Sequence, residues 1–231
     1  MVRRWVLSLS VSLAAVGAAV SVAAGCSSET RAGPPVTVDT GSTTFVPLDD
    51  AGACGVTTRK VALDYAVHVD QGSPLTYNSN PPCGGNHYPI WALFRSHPRP
   101  LPRGNWIHNL EHGGIVFTYR CASRAACPEI AAQLEAIAAA MPADPLCTPP
   151  LRNRIVITPD PELPEGVTVA ASAWGYTLVA RCVDAAAFGS FYKEHVGRAT
   201  EQLCADGAYY ADDDAGVVGD AIMSPPDAAK D

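Results

Sequence analysis

The sequence has 231 residues, of which 48% are hydrophobic, and its 23 acidic residues outnumber the 16 basic ones to give a formal net charge of −7. Because binding to phosphate backbones depends on clustered Lys and Arg, this balance argues against nucleic acid as a partner. The length and apolar content suit one ordinary domain with a buried core.

The first 25 residues have the organisation of a secretory signal peptide. Arg3 and Arg4 form a short positive region, an uncharged apolar stretch follows, and small residues precede Cys26. This order is typical of a signal that is removed on export, and a cysteine directly after the small residues is typical of lipoproteins. The alternative is an uncleaved membrane-spanning helix, since about 20 apolar residues can cross a bilayer. We expect cleavage before Cys26 and acylation of Cys26, which anchors the chain to a lipid bilayer. The protein is expected outside the cytoplasm, in the outer membrane, where it faces the periplasm or the cell surface.

Two polar stretches flank the predicted domain. Residues 26–52 begin with the acylated cysteine and are rich in Ser, Thr, Gly, Pro and Asp without a hydrophobic period, which predicts a disordered linker. Residues 208–231 combine three consecutive aspartates with a Pro-Pro pair and are interpreted as a disordered acidic tail. The globular domain is therefore expected at residues 53–207.

The hydrophobic pattern of this domain predicts five strands and two helices. One helix is expected from Pro128 to Met141, because Pro suits the first helical position. The other begins after Asp184, whose side chain suits an N-cap. Residues 70–105 are too rich in Pro, Gly, Asn and Ser for a hairpin and are expected to form an ordered functional loop. The predicted strands are residues 59–69, 115–120, 154–158, 167–174 and 177–182.

The order of these elements predicts an α+β domain with a mostly antiparallel sheet that carries its helices on one face. A thioredoxin-like α/β arrangement is the alternative, although no Cys-x-x-Cys opens the first helix. Cys121 and Cys127 lie six residues apart, at the end of a strand and the start of that helix. This spacing favours a local disulfide over a redox-active pair.

The residues with the clearest chemistry are Ile107-His-Asn-Leu-Glu-His-Gly-Gly114, directly before a predicted strand. His108 and His112, with Glu111 beside the second, suit a divalent metal ion. The pattern H-x-x-E-H also occurs in inverted zincins, where the glutamate is the general base. Those enzymes set it in a long helix, whereas two glycines here end any helix at once. His87, in a Pro/Gly-rich loop, is expected to lie over the same site.

The other three histidines are weaker candidates. His68 ends the first predicted strand, His97 lies between Ser96 and Pro98 and is expected to be exposed, and His195 is expected at the end of the last helix.

Three segments of the sequence match a family pattern: Pro81-Pro-Cys-Gly-Gly-Asn-His-Tyr-Pro-Ile-Trp91, Trp106-Ile-His-Asn-Leu-Glu-His-Gly-Gly-Ile-Val-Phe117 and Ala171-Ser-Ala-Trp-Gly175. In these segments the chain resembles the domain-of-unknown-function 3105 family, extracytoplasmic bacterial proteins that are often lipoproteins. The resemblance extends over about residues 61–204 and implies a shared fold without an established activity. The position of Cys83 usually holds Thr or Ser in that family, which implies that Cys83 is the cysteine left without a disulfide.

Eight cysteines are many for this length and indicate an oxidising compartment. With the acylated cysteine and Cys83 set aside, six remain, for which fifteen pairings are formally possible. We expect the disulfides Cys121–Cys127, Cys147–Cys182 and Cys54–Cys204.

Three interpretations of the function remain open. The first is a lipoprotein with a metal site formed by His87, His108 and His112, where Glu111 is a ligand or a hydrogen-bond partner of one. Three imidazoles suit Zn²⁺ or Cu²⁺, whereas the scarcity of methionine argues against a copper(I) carrier. The second is a metal-dependent hydrolase with Glu111 as catalytic general base. The third is a structural or interaction lipoprotein of the cell envelope, in which the histidines hydrogen-bond a buried polar loop.

Overall fold

The structure, a computed structural model, describes residues 37–39, 53–63, 65–212 and 215–218. The predicted signal peptide, Cys26, most of the predicted linker and the end of the predicted tail lie outside the described residues. In the part of the chain that is described, no helix has the length and apolar character needed to cross a membrane.

The predicted α+β class is confirmed. A mixed sheet with the strand order β1-β2-β6-β5-β3-β4 is accompanied by three helices. The elements are β1 (Thr37–Asp39), β2 (Thr57–Val61), α1 (Arg103–Glu111), β3 (Ile115–Tyr119), α2 (Pro128–Ala140), β4 (Ile155–Pro159), β5 (Val169–Ala173), β6 (Tyr176–Ala180), α3 (Ala185–His195), β7 (Tyr209–Asp212) and β8 (Ala215–Val218).

The central part of the sheet is antiparallel, as expected. Strand β2 pairs with β6, β6 with β5 and β5 with β3 in antiparallel register, so that Phe117 lies opposite Ala171. Strand β4 pairs parallel to β3, and the connection between them contains α2. A parallel pair needs such a crossover because a tight turn reverses the direction of the chain.

Both faces of the sheet are covered, which explains why β3 and β4 are buried along their whole length and are mostly apolar. The two predicted helices, α2 and α3, share one face, where they pack on the odd-numbered side chains of β3. Helix α1 lies on the other face and packs against Val116 and Val156. The side chains that it contributes to this second core are Trp106, Ile107 and Leu110, all with 0% exposure.

Strands extend past both expected domain boundaries. Strand β1 lies within the predicted linker and pairs with β2, and the antiparallel hairpin β7–β8 lies within the predicted tail. Tyr209 is buried and its backbone N–H donates to the carbonyl of Trp91 at 3.0 Å. This one aromatic residue joins the start of the acidic segment to the 70–105 loop.

The disulfides are Cys121–Cys127, Cys54–Cys182 and Cys147–Cys204. The first is the expected local crosslink, whereas the expected pairs Cys147–Cys182 and Cys54–Cys204 are wrong. Strands β2 and β6 are antiparallel neighbours, so the residue before β2 meets the residue after β6, and the two Cα atoms are 5.0 Å apart. Cys83 is buried and takes part in none of these disulfides.

Candidate metal site

Three segments of the chain bring their polar side chains together beside α1. A loop after β2 carries His68, the Pro/Gly-rich loop carries His87, and α1 carries His108 and Glu111. The first two segments run parallel, since the N–H of Val69 donates to the carbonyl of His87 at 2.9 Å. Residues three apart lie on one face of a helix, so His108 and Glu111 face the same way.

The four side chains form a tight cluster. Their candidate ligand atoms all lie within 4.8 Å of one another. The carboxylate Oε2 of Glu111 is 2.9 Å from Nε2 of His87 and 3.7 Å from Nε2 of His68. The ring centroids of His68 and His108 are 4.6 Å apart. A single ion placed among these atoms can therefore contact all four side chains.

Backbone carbonyls determine which nitrogen of each buried imidazole carries a proton. Nδ1 of His87 donates to the carbonyl of Gly85 at 2.8 Å, and Nδ1 of His108 donates to that of Tyr88 at 2.7 Å. Because a carbonyl only accepts, each neutral ring then presents its Nε2 lone pair to the cluster, the tautomer that binds metals. Gly85 has a φ of 103°, a backbone conformation that glycine adopts readily and other residues rarely do.

Burial and charge favour the protonation states that a cation needs. Burial, followed by repulsion from His112 and His87, lowers the pKa of His108 to about 2, so this imidazole is neutral at neutral pH. For Glu111, burial acts to raise the pKa, but the hydrogen bond from His87 and the charges of the neighbouring imidazoles together outweigh it. The pKa of Glu111 is therefore below its usual value, and the carboxylate is ionised.

The contact between Glu111 and His87 has a chemical requirement. An ionised carboxylate oxygen and an imidazole lone pair are both acceptors and repel each other. At the 2.9 Å that separates Oε2 from Nε2, they need a proton or a metal ion between them. A proton on Nε2 of His87 satisfies the contact as a hydrogen bond, and the grouping of the four side chains is also compatible with a metal ion.

His112, expected as a ligand, is not part of the cluster. Its ring stacks on that of His108, with centroids 4.6 Å and planes 27° apart, and its Nδ1 is 3.0 Å from a carboxylate oxygen of Glu201. Side chains four residues apart on a helix lie one above the other, which produced stacking here instead of convergence. His68 occupies the place that was expected for His112, and its side chain is 48% exposed.

The remaining histidines do not reach the cluster. His97, expected to be exposed, has 0% exposure, and its ring Nε2 donates to the carbonyl of Leu93 at 3.0 Å. His195 ends α3 as predicted, and its ring stacks on that of Tyr176 with centroids 4.2 Å apart.

Two glycines turn the chain from α1 into β3. Gly113 has a φ of 78°, which ends the helix directly after His112. A side chain at Gly114 has no room, because its Cβ would lie 2.7 Å from the carbonyl oxygen of Asn109 and 2.8 Å from the Phe94 ring. The pair connects α1 and its C-terminal His112 directly to a central strand.

Asn109 has a role that the sequence did not reveal. Its Oδ1 accepts from the N–H of Ala92 at 2.9 Å, its Nδ2 donates to the carbonyl of Ala92 at 2.8 Å, and the residue has 0% exposure. It thereby pairs both backbone groups of one loop residue and fixes the 70–105 loop to α1. The i, i+4 spacing of Asn105 and Asn109 is the signal that could have revealed this role, since Asn105 also donates to a carbonyl of the loop, that of Ile90.

Asn109→Asp is expected to lower the free energy of unfolding by about 2–3 kcal/mol, although the two side chains have the same shape. The ionised carboxylate of the variant still accepts from the N–H of Ala92. Its second oxygen cannot donate to the carbonyl of Ala92, so that buried carbonyl loses its hydrogen-bond partner. Urea unfolding at pH 7 measures this loss. Asn153→Asp, which alters one bond of a partly buried side chain, is the control and should cost less than half as much. Equal losses for the two variants would contradict the role of Asn109.

The fold and the cluster define a class of protein: an α+β domain crosslinked by three disulfides, with three imidazoles and one carboxylate gathered beside α1. Such disulfides indicate an oxidising compartment outside the cytoplasm. The family model described as "Protein of unknown function (DUF3105)" matches residues 68–207, which is more than half of the chain and includes all four residues of the cluster. The chain belongs to this family, as the resemblance implied. No curated protein and no solved structure matches the chain.

Proposed function

We propose that the protein is an exported lipoprotein whose domain binds one divalent transition-metal ion through His68, His87, His108 and Glu111. The observation that carries this proposal is the convergence of four ligand atoms within 4.8 Å. Backbone carbonyls accept from Nδ1 of both buried imidazoles, so each Nε2 faces the cluster and can bind an ion once it carries no proton.

The donor set favours Zn²⁺ or Cu²⁺. Imidazole nitrogen suits both ions, and one carboxylate oxygen completes four ligands, the usual number for Zn²⁺ in proteins. The carboxylate offsets one of the two positive charges in a site where His87 is only 1% exposed. Hard ions such as Mg²⁺ and Ca²⁺ prefer oxygen ligands and should bind weakly.

Glu111 is better suited to hold an ion than to act as a general base. A base must reach substrate, whereas the Glu111 carboxylate is 14% exposed and contacts His87 directly. The hydrolase therefore remains an alternative that measurement of turnover can test, and no contact in the site favours it.

Elemental analysis of the protein purified without a histidine tag tests the proposal directly. One equivalent of zinc or copper per chain, removed by dialysis against chelator and restored by titration, is the expected result. A folded, chelator-treated chain that takes up neither ion in calorimetry would instead support the structural interpretation, in which the histidines serve only to hold the loops.

The proposed membrane partner is a lipid bilayer, contacted through the acyl chains on Cys26. Blocking the lipoprotein signal peptidase with globomycin should leave an uncleaved precursor, and Cys26→Ser should abolish incorporation of radiolabelled palmitate. The reason is that the acyl group is attached to this one thiol. Cys83→Ser is the matched control and should retain the label. A mature chain that carries no lipid in untreated cells would show that the anchor is absent.

A further inference from the structure

The four side chains of the metal cluster differ in their access to solvent. The side chain of His68 is 48% exposed, whereas that of His87 is 1% exposed. Glu111 is 14% exposed and His108 is 2% exposed. The indole ring of Trp91 also lies beside His108, with the two ring centroids 5.0 Å apart. An incoming molecule therefore reaches an ion in the cluster most directly from the side of His68.

The backbone that carries His68 is fixed to the His87 loop. The N–H of His87 donates to the carbonyl of Val67 at 3.2 Å, and the N–H of Val69 donates to the carbonyl of His87 at 2.9 Å. Side chains that are exposed to solvent change rotamer within picoseconds to nanoseconds. The ring of His68 can therefore turn away from an ion and return while the backbone stays in place.

Two imidazole rings border the position that the ring of His68 occupies. The ring centroid of His108 lies 4.6 Å from that of His68, with the two planes 35° apart. The ring centroid of His87 lies 4.8 Å from that of His68, with the two planes 87° apart. A flat ring of the same size can occupy this position when His68 turns away, and one of its nitrogens can then bind the ion.

Charge favours a neutral donor at this position over an anionic one. The chain has a net charge of −7, and Asp64 and Asp70 lie within four residues of His68 in the sequence, so anions are repelled from this part of the chain. A neutral imidazole in place of His68 leaves the charge of the site unchanged. Thiols are rarely available in an oxidising compartment, which disfavours cysteine as the incoming donor.

We propose that His68 is the exchangeable ligand of the metal cluster and that a histidine side chain of a partner protein takes its place on the ion. This inference rests on the proposed function, because it needs a bound ion. In the exchange, the bond from the ion to Nε2 of His68 breaks and a bond from the ion to an imidazole nitrogen of the incoming histidine forms. The oxidation state of the ion and the number of its ligands do not change. His87, His108 and Glu111 hold the ion during this first step of its transfer to the partner.

Chemical rescue of His68→Ala tests the exchange. The probe ion is Co²⁺, which resembles Zn²⁺ in its choice of ligands and whose visible spectrum reports on them. The variant should bind Co²⁺ at least about tenfold more weakly than the unmodified chain, since one ligand is lost. Millimolar N-acetylhistidine methylamide should restore most of the lost affinity and the visible spectrum of the unmodified chain. The unmodified chain titrated with the same additive corrects for the Co²⁺ that the additive binds by itself.

Two further variants and one further additive make the test specific. His68→Gln, which keeps a polar side chain of similar size, should be rescued like His68→Ala, and circular dichroism checks that both are folded. His108→Ala removes an imidazole that is 2% exposed and should not be rescued, because the additive cannot reach the space that is left. Acetate, an anionic donor, should restore less affinity to His68→Ala than the blocked histidine does.

The outcomes separate this inference from the proposed function. An unmodified chain that takes up neither Co²⁺ nor Zn²⁺ would contradict the proposed function itself. If the unmodified chain binds the ion, the exchange alone is overturned when both His68 variants bind it equally well or do not respond to the blocked histidine. Equal rescue of His108→Ala, or rescue by acetate that matches that by the blocked histidine, would overturn it as well.

Discussion

Replacing His87 or His108 by alanine is expected to reduce the affinity for Zn²⁺ or Cu²⁺ by about 100-fold or more. Each change removes an imidazole whose Nε2 is held toward the cluster by a carbonyl behind the ring. Losing only such a supporting partner costs about 10–100-fold, so losing the ligand itself should cost at least the upper part of that range. Calorimetry on the chelator-treated chain measures the affinity, and circular dichroism checks that each variant is folded.

His68 and His195 provide the matched pair of variants. His68→Ala should weaken binding, whereas His195→Ala should not, although both side chains are partly exposed and both rings contact an aromatic neighbour. His112→Ala should have a smaller effect than His68→Ala, because the ring of His112 stacks on that of His108 and lies outside the cluster. An equal loss for His195→Ala and His68→Ala would contradict the site.

Glu111→Gln separates the proposed role of the carboxylate from that of a base. As a ligand or partner of His87, the carboxylate should be needed for affinity, which should fall at least about tenfold in the variant. If Glu111 is instead the general base of a hydrolase, Glu111→Gln should keep the metal affinity and lose the turnover that chelator abolishes. Glu135→Gln, a change on the surface of α2, should alter neither.

Removing Cys54–Cys182 is expected to cost the most stability of the three disulfides, about 5 kcal/mol in the chain-entropy estimate, since it closes a loop with a sequence separation of 128. The same estimate gives about 4 kcal/mol for Cys147–Cys204, with a separation of 57, and about 2 kcal/mol for Cys121–Cys127, with a separation of 6. Paired Cys→Ser variants, unfolded in urea without reductant, measure this order.

The shortest crosslink is the internal control for that series. A larger loss for the Cys121–Cys127 variant than for the Cys54–Cys182 variant would show that loop closure does not govern the stability. Mass mapping of the non-reduced chain should also recover the three pairs, with Cys83 in none of them.

The sequence predicted those parts of the fold that depend on local pattern. Helix α2 begins at Pro128 as expected, and Asp184 caps α3 through a bond to the N–H of Ala187. Helix α1 was not predicted because Gly104 to Leu110 are all buried, so this stretch has no solvent-exposed face to give an amphipathic period.

The errors concern contacts between distant segments. The partner of Cys54 depends on β2 lying next to β6, a strand order that spacing along the chain does not encode. The His-x-x-Glu-His block likewise contributes only two of the four cluster residues. His68 joins the cluster because its segment pairs with that of His87, a contact that the sequence does not encode. The resemblance to the family identified the right region of the chain but not the geometry within it.

The origin of the cluster in three separate segments has a thermodynamic consequence. His68 and Glu111 are 43 residues apart, so an unfolded chain does not hold the four ligands together. An ion that binds only the folded state adds its binding free energy to the stability of the domain, about 2.7 kcal/mol when the free ion is at one hundred times its Kd. The thermal midpoint of unfolding should therefore rise with the concentration of free ion. The chain without the ion should be degraded by proteases faster than the chain that holds it.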